Sequence, residues 1–151
     1  MKIQIIIGHL FTILLGGLLY ILFRHDTLRM FSWFDSINLS AVISELRLYT
    51  LPLSDYLPNW FLYSLPDGLW LFSYLSILLV VWDNEISKHN IHWLFIVPVV
   101  AIFSEIGQHF EIIPGTFDVI DLTFYIAGTV LPILIFTNLV VIKSQKHEKI
   151  N

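Results

Sequence analysis

The sequence predicts an all-α membrane protein, with about four transmembrane helices and an interfacial amphipathic helix between the first and the second. Three observations carry this expectation. Hydrophobic residues make up 56% of the 151 residues and charged residues 13%, with a mean hydropathy of +0.76. Soluble domains carry about 25% charged residues, so too few charges remain here to cover a water-facing surface. Four apolar runs each approach the roughly 20 residues that a helix needs to cross a bilayer. Within those runs the apolar residues are continuous and do not alternate, which favours helices over a barrel.

The length suits a single membrane domain over residues 1–151, and no internal repeat or low-complexity segment divides it. A net charge of -4 argues against nucleic acid, which needs a basic face. The absence of cysteine excludes disulfide and thiolate chemistry.

The first span is predicted over residues 3–23, IQIIIGHLFTILLGGLLYILF. Its apolar run exceeds the roughly 7–15 residues of a signal-peptide core and no small-residue cleavage site follows, so it reads as a retained span ended by Arg24, His25 and Asp26. His9 within it reads as a buried, hydrogen-bonded side chain, and Gly8, Gly16 and Gly17 would let another helix approach closely. A connecting segment covers residues 24–64. Within it SINLSAVISELRLY places Leu39, Val42, Ile43 and Leu46 on one helical face, with Ser40, Ser44, Glu45 and Arg47 on or near the other. That pattern suits a helix lying among lipid headgroups. The following TLPLSDYLPNWFLYSLPD, with its prolines and aromatics, is expected to be extended and anchored at the interface.

The second span is predicted over residues 65–82, the third over 91–113 and the fourth over 119–142, with residues 143–151 as a tail. Pro98 and Pro132 fall inside spans, where neighbouring helices can satisfy the freed carbonyls. Lys2, Lys88, Lys143, Lys146 and Lys149 fall on one side of the membrane, and Arg24, Arg29 and Arg47 on the other. The lysine-rich side, holding both termini, is therefore expected to be cytoplasmic.

The chemistry is concentrated in SEIGQHFEIIPGTFDVIDLTFYIAG, residues 104–128, where Glu105, Gln108, His109, Glu111, Asp118 and Asp121 lie close together. Glu105, Gln108 and His109 are spaced i, i+3, i+4 and share one face of the third helix. Measured back from Ile113, Glu105 sits roughly 12 Å into the membrane and His109 roughly 6 Å. A central acid costs on the order of 2.5–3.5 kcal/mol to insert, so Glu105 is expected to point inward, paired or protonated. Asp121, Tyr125 and Gly128 make a second inward stripe on the fourth helix. Asp67, in the first turn of the second helix, arrives at the same leaflet.

Plainer readings stand beside these. Asp67, following Ser64 and Pro66, and Asp118 both suit helix starts, as cap or dipole partners. Asp121 divides between cap and site, and Glu111 suits a solvated headgroup position. Glu105 is the exception, since no helix end is near enough to explain it. Glu105 with His109 can shuttle a proton. With Asp67 or Asp121 they can also be read as an oxygen-rich set for a divalent ion, although the spacing is common by chance and no metal is expected. No nucleophile elbow, phosphate loop or zinc-binding H-E-x-x-H pair occurs.

Glu105 and Gln108, then Pro114-Gly115, then Asp118 and Asp121, then Gly128 resemble the signature of the VanZ-like family of small bacterial membrane proteins. In that family a helix ends in E-x-x-Q, a Pro-Gly-Arg link follows, and D-x-x-D, then Asn and Gly, open the next helix. Thr116 stands where the family has arginine and Tyr125 where it has asparagine, and PDGLWLFSY is loosely similar to the family's pattern in the second span through Asp67 and Tyr74. The resemblance implies a divergent member located in the bacterial cytoplasmic membrane, in a family whose namesake is associated with low-level resistance to the glycopeptide teicoplanin.

Two functions follow as expectations. In the first, the cluster binds or processes an envelope lipid or lipid-linked precursor. Glu105 and His109 are then the catalytic residues and handle the proton, while Gln108, Asp121, Asp67, Asp118 and Tyr125 form the ligand-binding set and the 36–49 helix borders the entrance. In the second, the chain is a non-enzymatic accessory subunit of a larger membrane complex or a homo-oligomer, and the cluster is interhelical glue. Ion conduction is disfavoured, because the acids are confined to one leaflet. The residues name no cofactor and do not decide between binding and catalysis.

Overall fold

The computed structural model describes residues 1–137, and these form six helices and no strands. The chain is an all-α membrane protein in which four helices are long and apolar enough to span a bilayer. These are α1 (Gln4–Phe23), α4 (Trp60–Val81), α5 (Ile91–His109) and α6 (Val119–Phe136). Two short helices, α2 (Arg29–Ser36) and α3 (Ser40–Thr50), connect α1 to α4. Residues 138–142 of the predicted fourth span, and the tail with Lys143, Lys146 and Lys149, lie outside the described residues.

The central helix is α4, which packs against α1, α5 and α6. The apolar core, Leu75, Leu79 and Leu94 with Tyr74, Trp82, Phe95 and Phe136 around it, sits in the half of the bundle where α4 ends and α5 begins. Large apolar side chains such as Leu14, Phe103, Leu134 and Ile135 point outward from the spans. A surface this greasy is stable in acyl chains and a liability in water.

Small residues set the closest approaches. A Cβ on Gly128 of α6 would collide with the carbonyl oxygen of Gly68 on α4, so only glycine lets these backbones meet. Gly8 and Gly16 of α1 face Ser76, Pro66 and Trp70 of α4, and Gly17 alone of the three faces open space. Gly8 also meets Phe136 of α6, so two of the glycines expected to admit a further helix are occupied by the chain's own α4 and α6. The first eight residues of α1, Gln4–Phe11, are wound as a π-helix before the α-helical Thr12–Phe23. Gln4, Gly8, Thr12 and Gly16 recur every fourth residue and are all buried. Wider winding helps hold a four-residue repeat on one line where 3.6 residues per turn would let it drift. Buried polar groups along that line are satisfied. Gln4 Nε2 donates to the Ser76 carbonyl and to Asn84 Oδ1 at 3.2 and 2.8 Å, and His9 Nδ1 meets Ser73 Oγ at 2.7 Å. His9 is thus hydrogen-bonded as expected, although half-buried rather than buried.

Several boundaries differ from expectation. Helix α4 begins at Trp60 rather than at 65, because Trp60–Ser64 is already helical and runs without a break into Leu65–Val81. Pro66 is tolerated there because a wide first turn precedes it. The segment expected to be extended is a 3-10 helix at Leu51–Tyr56 followed by this first turn of α4. Helix α2 was not anticipated. The third span stops at His109 rather than 113, closed by a Schellman turn. Glu111 there takes a left-handed φ of 56°, and the Ile112 N–H donates to the Gly107 carbonyl at 2.8 Å.

Helix α3 forms as the pattern indicated, but its orientation is informative. Leu39, Val42 and Leu46 face outward, as do Ser44 and Glu45, while Ile43 is half-buried and Arg47 is buried against α1. Its Nη1 donates to the Ile21 carbonyl at 2.6 Å and its guanidinium lies 4.9 Å from the Phe31 ring centre. Ile21 belongs to the last turn of α1, whose carbonyls have no partner within the helix, so a cation is well placed there.

Candidate functional site

At the end of the bundle where α1 finishes and α4 begins, polar side chains of α4, α5 and α6 converge with that of Arg24, just past the end of α1. Asp67 lies about two turns inside α4 and not at its start, and Ser64 makes no capping hydrogen bond, so Asp67 is not a cap. Its carboxylate instead meets Arg24 Nη2, just past the end of α1, at 3.6 Å. Arg24 also donates to the Tyr63 carbonyl at 3.1 Å and lies over the rings of Tyr20 and Tyr63, 5.1 and 5.0 Å from their centres. Its Nε is buried without a hydrogen-bond partner among the described residues.

Glu105 is only 4% exposed. It points inward as expected, but at a shallower depth, because α5 ends at His109 and leaves Glu105 about 6 Å from that end. Contrary to the expectation that no helix end lies near enough, the start of a neighbouring helix meets it. The Asp118 backbone N–H, at the start of α6, points to Glu105 Oε2 at 3.4 Å. Unpaired N–H groups and the positive end of the helix dipole make a helix start favourable for a carboxylate. Asp118 itself caps α6, its Oδ1 accepting from the Ile120 N–H at 2.8 Å. One acid caps the helix from within, and the other receives it from across the link.

Asp121 lies in the first turn of α6 with Oδ1 buried and without a partner among the described residues. Tyr125, one turn further, sits with Asp67 on the wall of a cavity of about 230 Å³ whose other lining residues are Trp70, Leu71, Val97 and Ala101. The carboxylates of Glu105 and Asp121 lie near enough to Asp67 to repel it, and the Tyr125 hydroxyl is within reach of the Asp67 carboxylate. The site therefore combines three carboxylates from three helices, one phenol and one guanidinium, of which Asp67 and Tyr125 border an otherwise apolar cavity.

Other expected members lie elsewhere. His109 is exposed and packs its ring edge-on against Phe110 and Phe117, at 5.1 and 4.8 Å. It makes no hydrogen bond to Glu105 among the described residues, so the structure does not assemble the expected Glu–His proton shuttle. Gln108 is half-buried and lies over the link, where a Cβ on Gly115 (φ 145°) would come within 2.7 Å of its amide. The positive φ is what calls for glycine at that turn, since the flexible Gln108 amide could move aside. Glu111 is exposed. Among the described residues no three His, Asp or Glu side chains converge as metal ligands.

The residue that sequence reasoning missed is Arg24. A signal was present, since the arginines were assigned to the same side of the membrane as the acids. A second cavity, of about 460 Å³, lies on the far side of Arg24, lined by Tyr20, His25, Asp26, Arg47, Leu51 and Tyr63 among others. Comparison of the chain with protein-family models, curated proteins and solved structures finds no match in any of the three.

Proposed function

We propose that this multi-pass membrane protein binds the headgroup end of an envelope lipid or lipid-linked precursor at the cluster formed by Arg24, Asp67, Glu105, Asp121 and Tyr125. One observation carries the reading: three carboxylates and one guanidinium are gathered between spans beside a cavity that opens among α4, α5 and α6. A buried excess of acid is costly unless hydrogen-bond donors meet it. The hydroxyl or ammonium groups of a headgroup are such donors, and the apolar wall of Trp70, Leu71, Val97 and Ala101 suits the adjoining hydrocarbon. The VanZ-like resemblance belongs to this reading, since Glu105, Asp118 and Asp121 all lie at this end of the bundle. On it the chain is a divergent member in a bacterial cytoplasmic membrane, with the cluster in the outer leaflet and a role in envelope resistance to glycopeptides.

The test is native mass spectrometry of the protein extracted in dodecyl maltoside. Wild type is expected to retain a headgroup-bearing lipid, and Asp121→Asn to lose it while melting at a similar temperature. Equal retention by both, or a stoichiometric protein partner in place of lipid, overturns the reading, and the partner would favour an accessory subunit.

A further inference from the structure

We infer that the cavity between the end of α1 and α3 is a seat for the phosphate of an amphiphile, held by Arg47 and Arg24. This deepens the proposed function by naming the ligand's chemical class, and it rests on that reading. The first observation is a guanidinium with no carboxylate opposite it. Arg47 is only 9% exposed, yet no carboxylate lies within ion-pair distance of it among the described residues. Its one hydrogen bond, from Nη1 to the Ile21 carbonyl, leaves the rest of its donor fork unused among the described residues. The Ile21 carbonyl and the Phe31 ring offset that charge only in part, whereas a phosphate matches the remaining planar array of donors.

The second observation is the company it keeps. Arg24 lines the same cavity and has a buried Nε without a partner. The acid on the cavity wall, Asp26, is approached by His25 at 3.7 Å, and Asp67 lies behind Arg24 at 3.6 Å. The cavity thus presents two guanidiniums against one lining carboxylate. Its volume of about 460 Å³ exceeds what a phosphate alone would fill, and Phe23, Leu28 and Leu51 line the remainder with apolar surface. Leu39, with Val42 and Leu46 of α3, points outward beside it, and an interfacial α3 would place the cavity at the depth of lipid headgroups.

The geometry also links the two cavities. Arg24 lines the phosphate seat and Asp67 lines the inner cavity, so their ion pair is the partition between them. A phosphate drawing Arg24 toward Arg47 frees Asp67 to accept from a donor on the same headgroup. A phosphate-linked, hydroxyl- or amine-bearing lipid satisfies both halves at once.

The experiment titrates the full-length protein in dodecyl maltoside with three probes: dihexanoyl phosphatidic acid, dihexanoylglycerol and inorganic phosphate. Tryptophan fluorescence reports binding, with Trp70 4.9 Å from the Tyr20 ring. The phosphatidic acid is expected to bind, and Arg47→Gln to weaken it roughly tenfold or more. Arg47→Lys, which keeps the charge but loses the fork, should weaken it less, and melting curves of both variants identify any that fail to fold. Equal binding of dihexanoylglycerol leaves the lipid-site reading standing and overturns the phosphate seat. Tighter binding of inorganic phosphate than of the lipid overturns the assignment to an amphiphile. No effect of either Arg47 variant on a folded protein overturns the inference, and no amphiphile binding at all overturns both it and the proposed function.

Discussion

Arg24, one residue beyond the end of α1, and Asp67, two turns inside α4, are 43 positions apart in sequence and 3.6 Å apart in space. Both side chains are mostly buried, 27% and 20% exposed, so each charge depends on the other. Removing one partner leaves the second uncompensated, at a cost of about 3 kcal/mol. Arg24→Met and Asp67→Leu should each lower stability in detergent by about that much, and the double variant should recover much of the loss. A double-mutant cycle on the denaturation midpoint checks this, and strict additivity would show that the pair is not coupled.

Glu105 is an acceptor for the start of α6, which separates its charge from its structural role. Glu105→Gln keeps an oxygen for the Asp118 N–H and should fold and accumulate near wild-type level while losing ligand retention. Glu105→Leu leaves that N–H unsatisfied and should destabilise by about 1–3 kcal/mol. Similar stability losses in the two variants would mean that the negative charge, not the acceptor, holds α6 in place.

Asp118 supplies an ordinary helix cap, and its replacement has an ordinary cost. Asp118→Ala should reduce stability by about 1 kcal/mol and speed hydrogen exchange at the Ile120 amide, whereas Asp118→Ser should be close to neutral. An unchanged exchange rate at that amide in Asp118→Ala would show that the cap is dispensable.

The contact between Gly68 and Gly128 predicts a sharp contrast among glycines. Gly128→Ala puts a methyl group into the Gly68 carbonyl and should cost about 1–3 kcal/mol or prevent folding. Gly17→Ala meets nothing within 4 Å and should change stability by less than about 0.5 kcal/mol. Melting temperatures in one detergent decide it, and a tolerated Gly128→Ala would mean that α4 and α6 are further apart than described.

The four spans, the amphipathic α3 and the end of the bundle that holds the acids were all legible along the chain. Bilayer thickness and the cost of burying charge act on each segment by itself, so local composition reports them. The start of α4 was harder to read, because prolines suggested an extended segment while a wide turn absorbs them. The reach of α5 was misjudged because Glu111 adopts a left-handed conformation without being glycine.

Within the candidate site the division is equally clear. The sequence by itself determined that Glu105 must turn inward, since an acid facing acyl chains has no compensation. It also placed Asp118 and Asp121 in the opening turn of α6. Only the tertiary structure decided the partners. The α6 start receives Glu105, Arg24 rather than a capping turn answers Asp67, and His109 turns to aromatic rings instead of joining the acids. These outcomes depend on helix rotation and on where each helix ends against its neighbours. Both are set by close packing between segments distant in the chain, as at Gly68 and Gly128, and no local pattern records them.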